Sequence, residues 1–441
     1  MASVNRLSRF TLGLWAMVFG CVALSVAIRV SPWYHDTTLN HTLATLKLKS
    51  GEDSWRPMRN ALDHLATNPE QPSYQIVFFE TYDKFQYPPA CLLPLELLRH
   101  SPFGDLTSNA ALNALALLSL FGTALAGIAL VRHGTAQAGR FETKSRVDAI
   151  ARVVAVVALS LTFFPLIKSF TVGQAQTFIN FLTALLLLAW VRDKPKLGGV
   201  ALGLICVIKP TYGAVFLWAA VRRRWAFMIS GLATIGVLSL IAVFRYGWDF
   251  SLDYLRVLDF MSDKGKTFHA NQSVNGLLNR MLHLESSLDF VGDGYAPSNA
   301  LVRGATVISS LVMLVMALAW RWRSRSAGGA TDLAVVFLVV TIASPIAWDH
   351  HFGVMFPILA LATVPMLEAR VFGGATGAVL AVAYVLVSQT LVSLTARAAE
   401  SALNIVQSSL FFGAMAFLVG LFLVRAWEDR QETTESVAAE S

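Results

Sequence analysis

Twelve apolar stretches, at about residues 10–30, 109–131, 148–167, 176–191, 197–208, 212–221, 225–245, 299–320, 331–347, 352–367, 371–394 and 403–424, occupy most of this chain. Hydrocarbon cannot hydrogen-bond a bare backbone, so each stretch is expected to be a helix. Hydrophobic residues make up 55% of the sequence and charged residues only 14%, far from the balance of soluble domains. The predicted fold class is therefore an all-α polytopic membrane protein with about 12 membrane segments and a long first outer loop. The apolar run ending at Val30 has a basic start and no clear small-residue cleavage site, so it reads as an uncleaved first helix.

The formal charge of +7 would point to nucleic acid in a soluble protein. Here clusters of basic residues fall in short loops at 132–146, 192–196, 222–224, 321–325 and 425–430, where they act as topology signals. With those loops inside, both termini are cytoplasmic, the chain is an integral plasma-membrane protein, and no nucleic-acid partner is expected. Residues 1–427 form the membrane domain, and the polar, acidic stretch 428–441 is expected to be a disordered tail. Cys21, Cys91 and Cys206 show no paired spacing, which gives neither a disulfide framework nor a zinc motif.

Keeping both 192–196 and 222–224 inside requires residues 197–221 to form two short helices broken at Lys209, Pro210 and Gly213. Such halves persist only within a bundle where the irregular backbone lines a cavity. Lys209 is then placed in or near the outer half of the membrane, either as a functional cation or as one that snorkels to the interface. Two outer loops are long, at 31–109 and 246–298. The first carries an amphipathic piece around Leu39, Leu43 and Leu46, and a short apolar run at 90–98 that dips into the interface.

The polar motifs collect on this outer side. His350 and His351 follow Trp348 and Asp349 at a span boundary, where they can contact a phosphate or a sugar. Neighbouring helical side chains point about 100° apart, which disfavours a shared metal ion, and no metal or cofactor is expected. Lys209 and Arg280 with a histidine would cradle a lipid-linked phosphate. Gln174, Gln176 and Asn180 can bond sugar hydroxyls or tie helices together. Tyr87, Pro88 and Pro89 fix an extended turn before the run at 90–98. Asn271 and Gln272, in the stretch NQSVNGLLNR, complete the amide set together with Asp349. A base near the interface could be Asp36, shortly after the first span, or Asp53 at the head of DSWRPMRNALDHL.

Taken in order, an acidic residue in the first outer loop, FQYPP, GQAQ followed by Asn180, Lys209-Pro210, NQSVNGLLNR and SPIAWDHH resemble glycosyltransferase family 87 over roughly residues 36–351. That family comprises polyprenol-phosphate-mannose-dependent mannosyltransferases and relatives with the GT-C membrane fold. The resemblance implies a GT-C-type helical bundle and inverting transfer of a sugar, most simply mannose, from a polyprenyl-phosphate donor to a glycolipid or glycan acceptor on the extracytoplasmic face. It also implies a first-loop aspartate as base, with Asp36 narrowly favoured over Asp53 because the donor phosphate is anchored at the bilayer surface. Lys209, Arg280, His350 and His351 would hold the donor phosphate, while Tyr87, Gln174, Gln176, Asn180, Asn271, Gln272 and Asp349 position sugars. A transporter or flippase of lipid-linked sugar is the competing expectation. It would place substrate groups near mid-membrane between related halves, and no repeat appears here.

Overall fold

The computed structural model describes residues 7–30, 36–68, 73–81, 83–101, 109–283, 287–291, 294–321, 323–324 and 327–440. Among them there is no β-strand, only two isolated bridges. Residues 31–35 of the first long loop, and Arg325 of the basic cluster at 321–325, lie outside the described residues.

Helix α1 (Arg9–Arg29) starts at Ser8, whose hydroxyl accepts from the Thr11 amide at 3.2 Å. Two short helices follow, α2 (Thr38–Leu46) and α3 (Trp55–Thr67), then a π turn at Gln75–Glu80 and α4 (Leu93–Arg99). The apolar run expected to dip into the interface forms the 3-10 turn Pro89–Leu92 and α4, with Ala90, Cys91 and Leu92 buried. Next come α5 (Asn109–Ala138), α6 (Arg146–Leu161), α7 (Phe164–Thr171), α8 (Gln176–Val191) and α9 (Pro195–Ile208). Helices α10 (Val215–Val221), α11 (Trp225–Tyr246), α12 (Trp248–Asp263), α13 (Val274–Leu282) and α14 (Ala300–Ala319) lead to the final group. That group is α15 (Ala330–Ile342), α16 (Met355–Ala369), α17 (Thr376–Ser388), α18 (Val392–Thr395) and α19 (Ser409–Glu440). Residues from Glu428, expected above as a disordered tail, begin inside α19, where Glu428 accepts from the Thr331 hydroxyl and Asp429 pairs with Arg321.

Every one of the twelve apolar stretches contains helix, but they are not twelve equal spans. Among the described residues six helices are long and apolar enough to cross a membrane alone, or up to eight if each of two bent pairs counts as one span. The stretches at 176–191, 197–208, 212–221 and 331–347 hold shorter helices of 10–17 residues. Burial separates the bundle into layers. Every residue of α15 after Ala330 is buried, and so is most of α16, which marks the centre. By contrast α11 and α14 expose large apolar side chains, with Phe244 88% and Leu301 80% exposed, as surface turned toward lipid. The centre is tied at one end by Asp332, which receives Arg222 at 2.7 Å and Arg425 at 2.6 Å, all three essentially inaccessible.

Two prolines shape the opposite end. Pro165 lacks the amide that would continue α6 onto the Leu161 carbonyl, and α7 turns off by 59°. The Thr42 hydroxyl from α2 takes that carbonyl at 2.9 Å instead. Pro210 forces Lys209 into extended backbone and ends α9 at Ile208, at the break expected from the sequence. Both irregularities open toward one pair of cavities.

Candidate active site

The segment that carries Asp53 is fastened by a run of backbone bonds to the end of α7 and the linker before α8. The amides of Gly51, Asp53 and Ser54 donate to the carbonyls of Thr171, Val172 and Gly173 at 2.8, 3.0 and 2.9 Å. This approach needs glycine, because Gly173 has φ +72° and any Cβ there would strike the Gly51 backbone. With the strands of chain so close, the Gln174 amide donates to the Asp53 carboxylate. Ser54 Oγ donates to Gln174 Oε1 at 2.9 Å and lies 2.6 Å from the Tyr87 hydroxyl. Tyr87, Asp53 and Gln174 are thus one hydrogen-bonded corner, drawn from three separate motifs.

A second cluster centres on Lys168, carried by the turned helix α7. Its ammonium donates to Asp36 at 2.8 Å and to Asp349 at 3.0 Å. The other Asp36 oxygen accepts from His41 Nε2 at 2.5 Å, and His41 Nδ1 rests on the Thr171 hydroxyl at 2.5 Å. Burial works to raise the Asp36 carboxyl, but the Lys168 ammonium and the His41 imidazole outweigh it and hold Asp36 well below the usual carboxylate range. Asp349 Oδ1 takes the His350 amide at 2.7 Å and lies 3.4 Å from His350 Nδ1. His350 Nε2 is buried and has no hydrogen-bond partner among the described residues.

The neighbouring histidine turns elsewhere. The ring planes of His350 and His351 differ by 80°. His351 Nδ1 accepts from Lys209 at 2.8 Å and from the Trp348 amide at 3.1 Å, so its proton sits on Nε2. Gln176 donates to Asn180 Oδ1 at 2.9 Å, and Asn180 donates to Ser169 Oγ at 3.1 Å, which binds α8 to α7.

The remaining expected residues build the support. Asn271 pairs with Trp348 in an isolated antiparallel bridge; the Gln272 amide donates to Ala347 O at 2.7 Å and the Asp349 amide to Ala270 O at 2.8 Å. The Asn271 side chain accepts from Ser273 and the Ala347 amide, and the Gln272 side chain donates to His269 O and Gln407 O. Arg280 is fully buried, and its guanidinium is spent on Phe268 O, Asn271 O and Ser408 Oγ. It therefore points to neither cavity, because its charge is used to hold the loop that holds residues 347–349.

Two cavities meet here. One, of about 500 Å³, is lined by Asp53, Arg56, Lys84, Lys168, Asp349 and His350 and by the rings of Phe268, Phe290 and Trp348. The second, of about 200 Å³, is a mostly apolar groove among Ile179, Ile208, Val257, Leu258 and Met261, with Lys209 and His351 at its polar end. Gln86, Gln174, Met261, Ile346 and Trp348 line both, so the two are contiguous. Sequence reasoning missed Lys168, His41 and Ser54. A lysine just beyond FFPLI was a usable signal for Lys168, since a charge at the end of an apolar stretch needs a partner. Nothing in the sequence marked Ser54 or His41.

An all-helical, multi-pass membrane protein with an apolar groove opening into a carboxylate-lined chamber is the class that fold and site define. The chain matches the model of glycosyltransferase family 87 over residues 85–345, more than half its length, and belongs to that family. It is similar to a polyprenol-phosphate-mannose-dependent alpha-(1-2)-phosphatidylinositol mannoside mannosyltransferase of Mycobacterium tuberculosis, at 25% identity over 62% of this chain and 60% of that protein. It also resembles polyprenol-phosphate-mannose-dependent alpha-(1-2)-phosphatidylinositol pentamannoside mannosyltransferases. That of Mycolicibacterium smegmatis is 29% identical over 46% of each chain, and that of M. tuberculosis 29% identical over 62% of this chain and 57% of its own. The matched stretch thus covers less than two thirds of each of these curated relatives.

Proposed function

We propose that this chain is a membrane glycosyltransferase that moves a hexosyl unit, in keeping with its relatives a mannosyl unit, from a polyprenyl-phosphate donor to a hydroxyl of a glycolipid or glycan. The observation that carries the reading is the junction of the two cavities. A lipid tail fits the apolar groove, its phosphate meets Lys209 and His351 at the groove's polar end, and its sugar reaches the chamber past Gln174 and Trp348. Asp36, hydrogen-bonded to the chamber residue Lys168, accepts the proton of the acceptor hydroxyl as that oxygen bonds to the anomeric carbon from the side opposite the phosphate. The bond from the anomeric carbon to the phosphate oxygen breaks, and polyprenyl phosphate leaves with both electrons, stabilised by Lys209. One direct displacement inverts the anomeric centre.

Lys168 and His41 keep Asp36 ionised and oriented, but they also weaken it as a base. Proton transfer is therefore late, after bond formation has acidified the hydroxyl. Asp53 is exposed and bonded to Gln174, a position suited to aligning the amide that touches both cavities. The clusters Arg222 to Arg224 and Arg425 to Arg430 lie with the Asp332 network at the other end, which supports an extracytoplasmic site and cytoplasmic termini. Asp36→Asn and Asp53→Asn assayed separately in nanodiscs test the assignment. Transfer from polyprenyl-phosphate-mannose is expected to fall by about two orders of magnitude or more in the first and less in the second; the reverse order moves the base to Asp53.

A further inference from the structure

The lining of the larger cavity is aromatic as well as charged. Phe268, Phe290 and Trp348 meet edge to face, with centroid separations of 5.5 Å for Phe268–Phe290, 6.2 Å for Phe268–Trp348 and 6.1 Å for Phe290–Trp348. Phe290 is 55% exposed although it lines a cavity, an unusual use of a phenyl ring unless something covers it. Lys266, itself buried, stands 3.8 Å from the Tyr295 ring centroid and donates to Val291 O at 2.9 Å, which stiffens the loop behind Phe290. The same cavity is also lined by Asp53, Arg56, Lys84 and Gln86, and by His350, whose Nε2 has no partner among the described residues.

A cavity lined both by rings and by hydrogen-bonding groups fits a ligand whose faces are C–H and whose edge is hydroxyl. That is a hydroxylated six-membered ring, a pyranose or a cyclitol. The ring faces present their negative quadrupole to such C–H groups, while the polar groups meet the equatorial hydroxyls. The donor's sugar enters this cavity at its boundary with the groove, past Gln174 and Trp348, whereas Phe268 and Phe290 line the larger cavity alone, so the ring that rests on them belongs to the acceptor. We propose that Phe268, Phe290 and Trp348 form the acceptor subsite, which takes the terminal hydroxylated ring of the acceptor face-on, with His350 Nε2 bonding one of its hydroxyls. This rests on the glycosyl-transfer reading for the word acceptor, but the binding itself does not.

Saturation-transfer NMR on the full chain in nanodiscs, with methyl α-mannopyranoside and myo-inositol as separate probes, tests it without any reaction. Irradiation of the aromatic protons is expected to reach the C–H protons of at least one probe. Transfer to the mannoside alone assigns a sugar terminus, and transfer to inositol alone assigns a cyclitol. Phe290→Ala should weaken the signal by about three- to tenfold, the loss expected for one aromatic contact, and Phe290→Tyr should restore it. His350→Gln should weaken it while leaving the protein's elution and melting unchanged. No transfer to either probe, or equal transfer to the Phe290→Ala protein, overturns the proposal. A failure of the glycosyl-transfer reading shows separately, as donor left unconsumed by a protein that still binds a ring.

Discussion

Lys168 is the side chain on which the site depends, because among the described residues it alone pairs with both carboxylates, from residues 36 and 349. Its ammonium is 12% exposed and Asp349 is 6% exposed, so neither charge is well hydrated. Replacing Lys168 with Met leaves two anions facing each other. Breaking a buried pair by removing one partner costs about 3–5 kcal/mol, and the open edge of Asp36 places this one near the lower end. Thermal melting of the purified variant measures that loss, and unchanged melting would show that the two salt bridges are ornamental. The pH response follows from Asp36, whose folded carboxyl lies below its ordinary value. Its stabilising contribution is complete above the usual carboxylate range and is lost only as pH falls through about 4 toward the folded value. The wild-type protein should therefore show no acid limb from this group between about pH 5 and 8. In Lys168→Met the limb moves upward, toward that window. Part of the arrangement was legible: Asp36, Lys209, Asp349 and His351 stood out as polar groups at span ends, and Lys209, Asp349 and His351 line the paired cavities, while Asp36 is joined to them through Lys168. Arg280 was equally conspicuous and is scaffolding, since sequence shows a charge but not the carbonyls that claim it.

Local backbone decides where those groups go. The breaks at Pro165 and Pro210 are visible as prolines in apolar runs, and the second was expected from the charge clusters on either side. The direction in which α7 turns was not visible, because it depends on Thr42 taking the Leu161 carbonyl and on packing against α2 and residues 349–354. Span counting fared in the same way: apolar length gave helices in all twelve places, but only their packing distinguishes a full crossing from a short interior helix. Gly173 offers the sharpest test of local geometry. In Gly173→Ala the left-handed residue alone costs about 1–2 kcal/mol, and the added Cβ pushes the Gly51 backbone away. Melting temperature should fall, and donor turnover should fall further than in Gly213→Ala, where a Cβ meets nothing within 4 Å. Equal behaviour of the two variants would mean that the Asp53 corner does not need its backbone tie.

The bundle as a whole keeps apolar and polar ligand parts in adjoining spaces, with Trp348, Gln174 and Gln86 at the boundary. Leu258, 36% exposed on the groove wall, can be enlarged without entering the chamber. Leu258→Trp is expected to raise the apparent KM several-fold for a long polyprenyl-phosphate donor while leaving that for a short-chain analogue nearly unchanged. An equal rise for both would place the tail elsewhere. The reading of glycosyl transfer against transport is settled most directly by one experiment. Purified protein in sealed vesicles is given polyprenyl-phosphate-mannose, labelled in the sugar, together with a mannosylated phosphatidylinositol acceptor, and the products are separated by chromatography. The account predicts label in a new glycosidic bond on the acceptor, abolished by Asp36→Asn, and label that only crosses the bilayer on intact donor would contradict it.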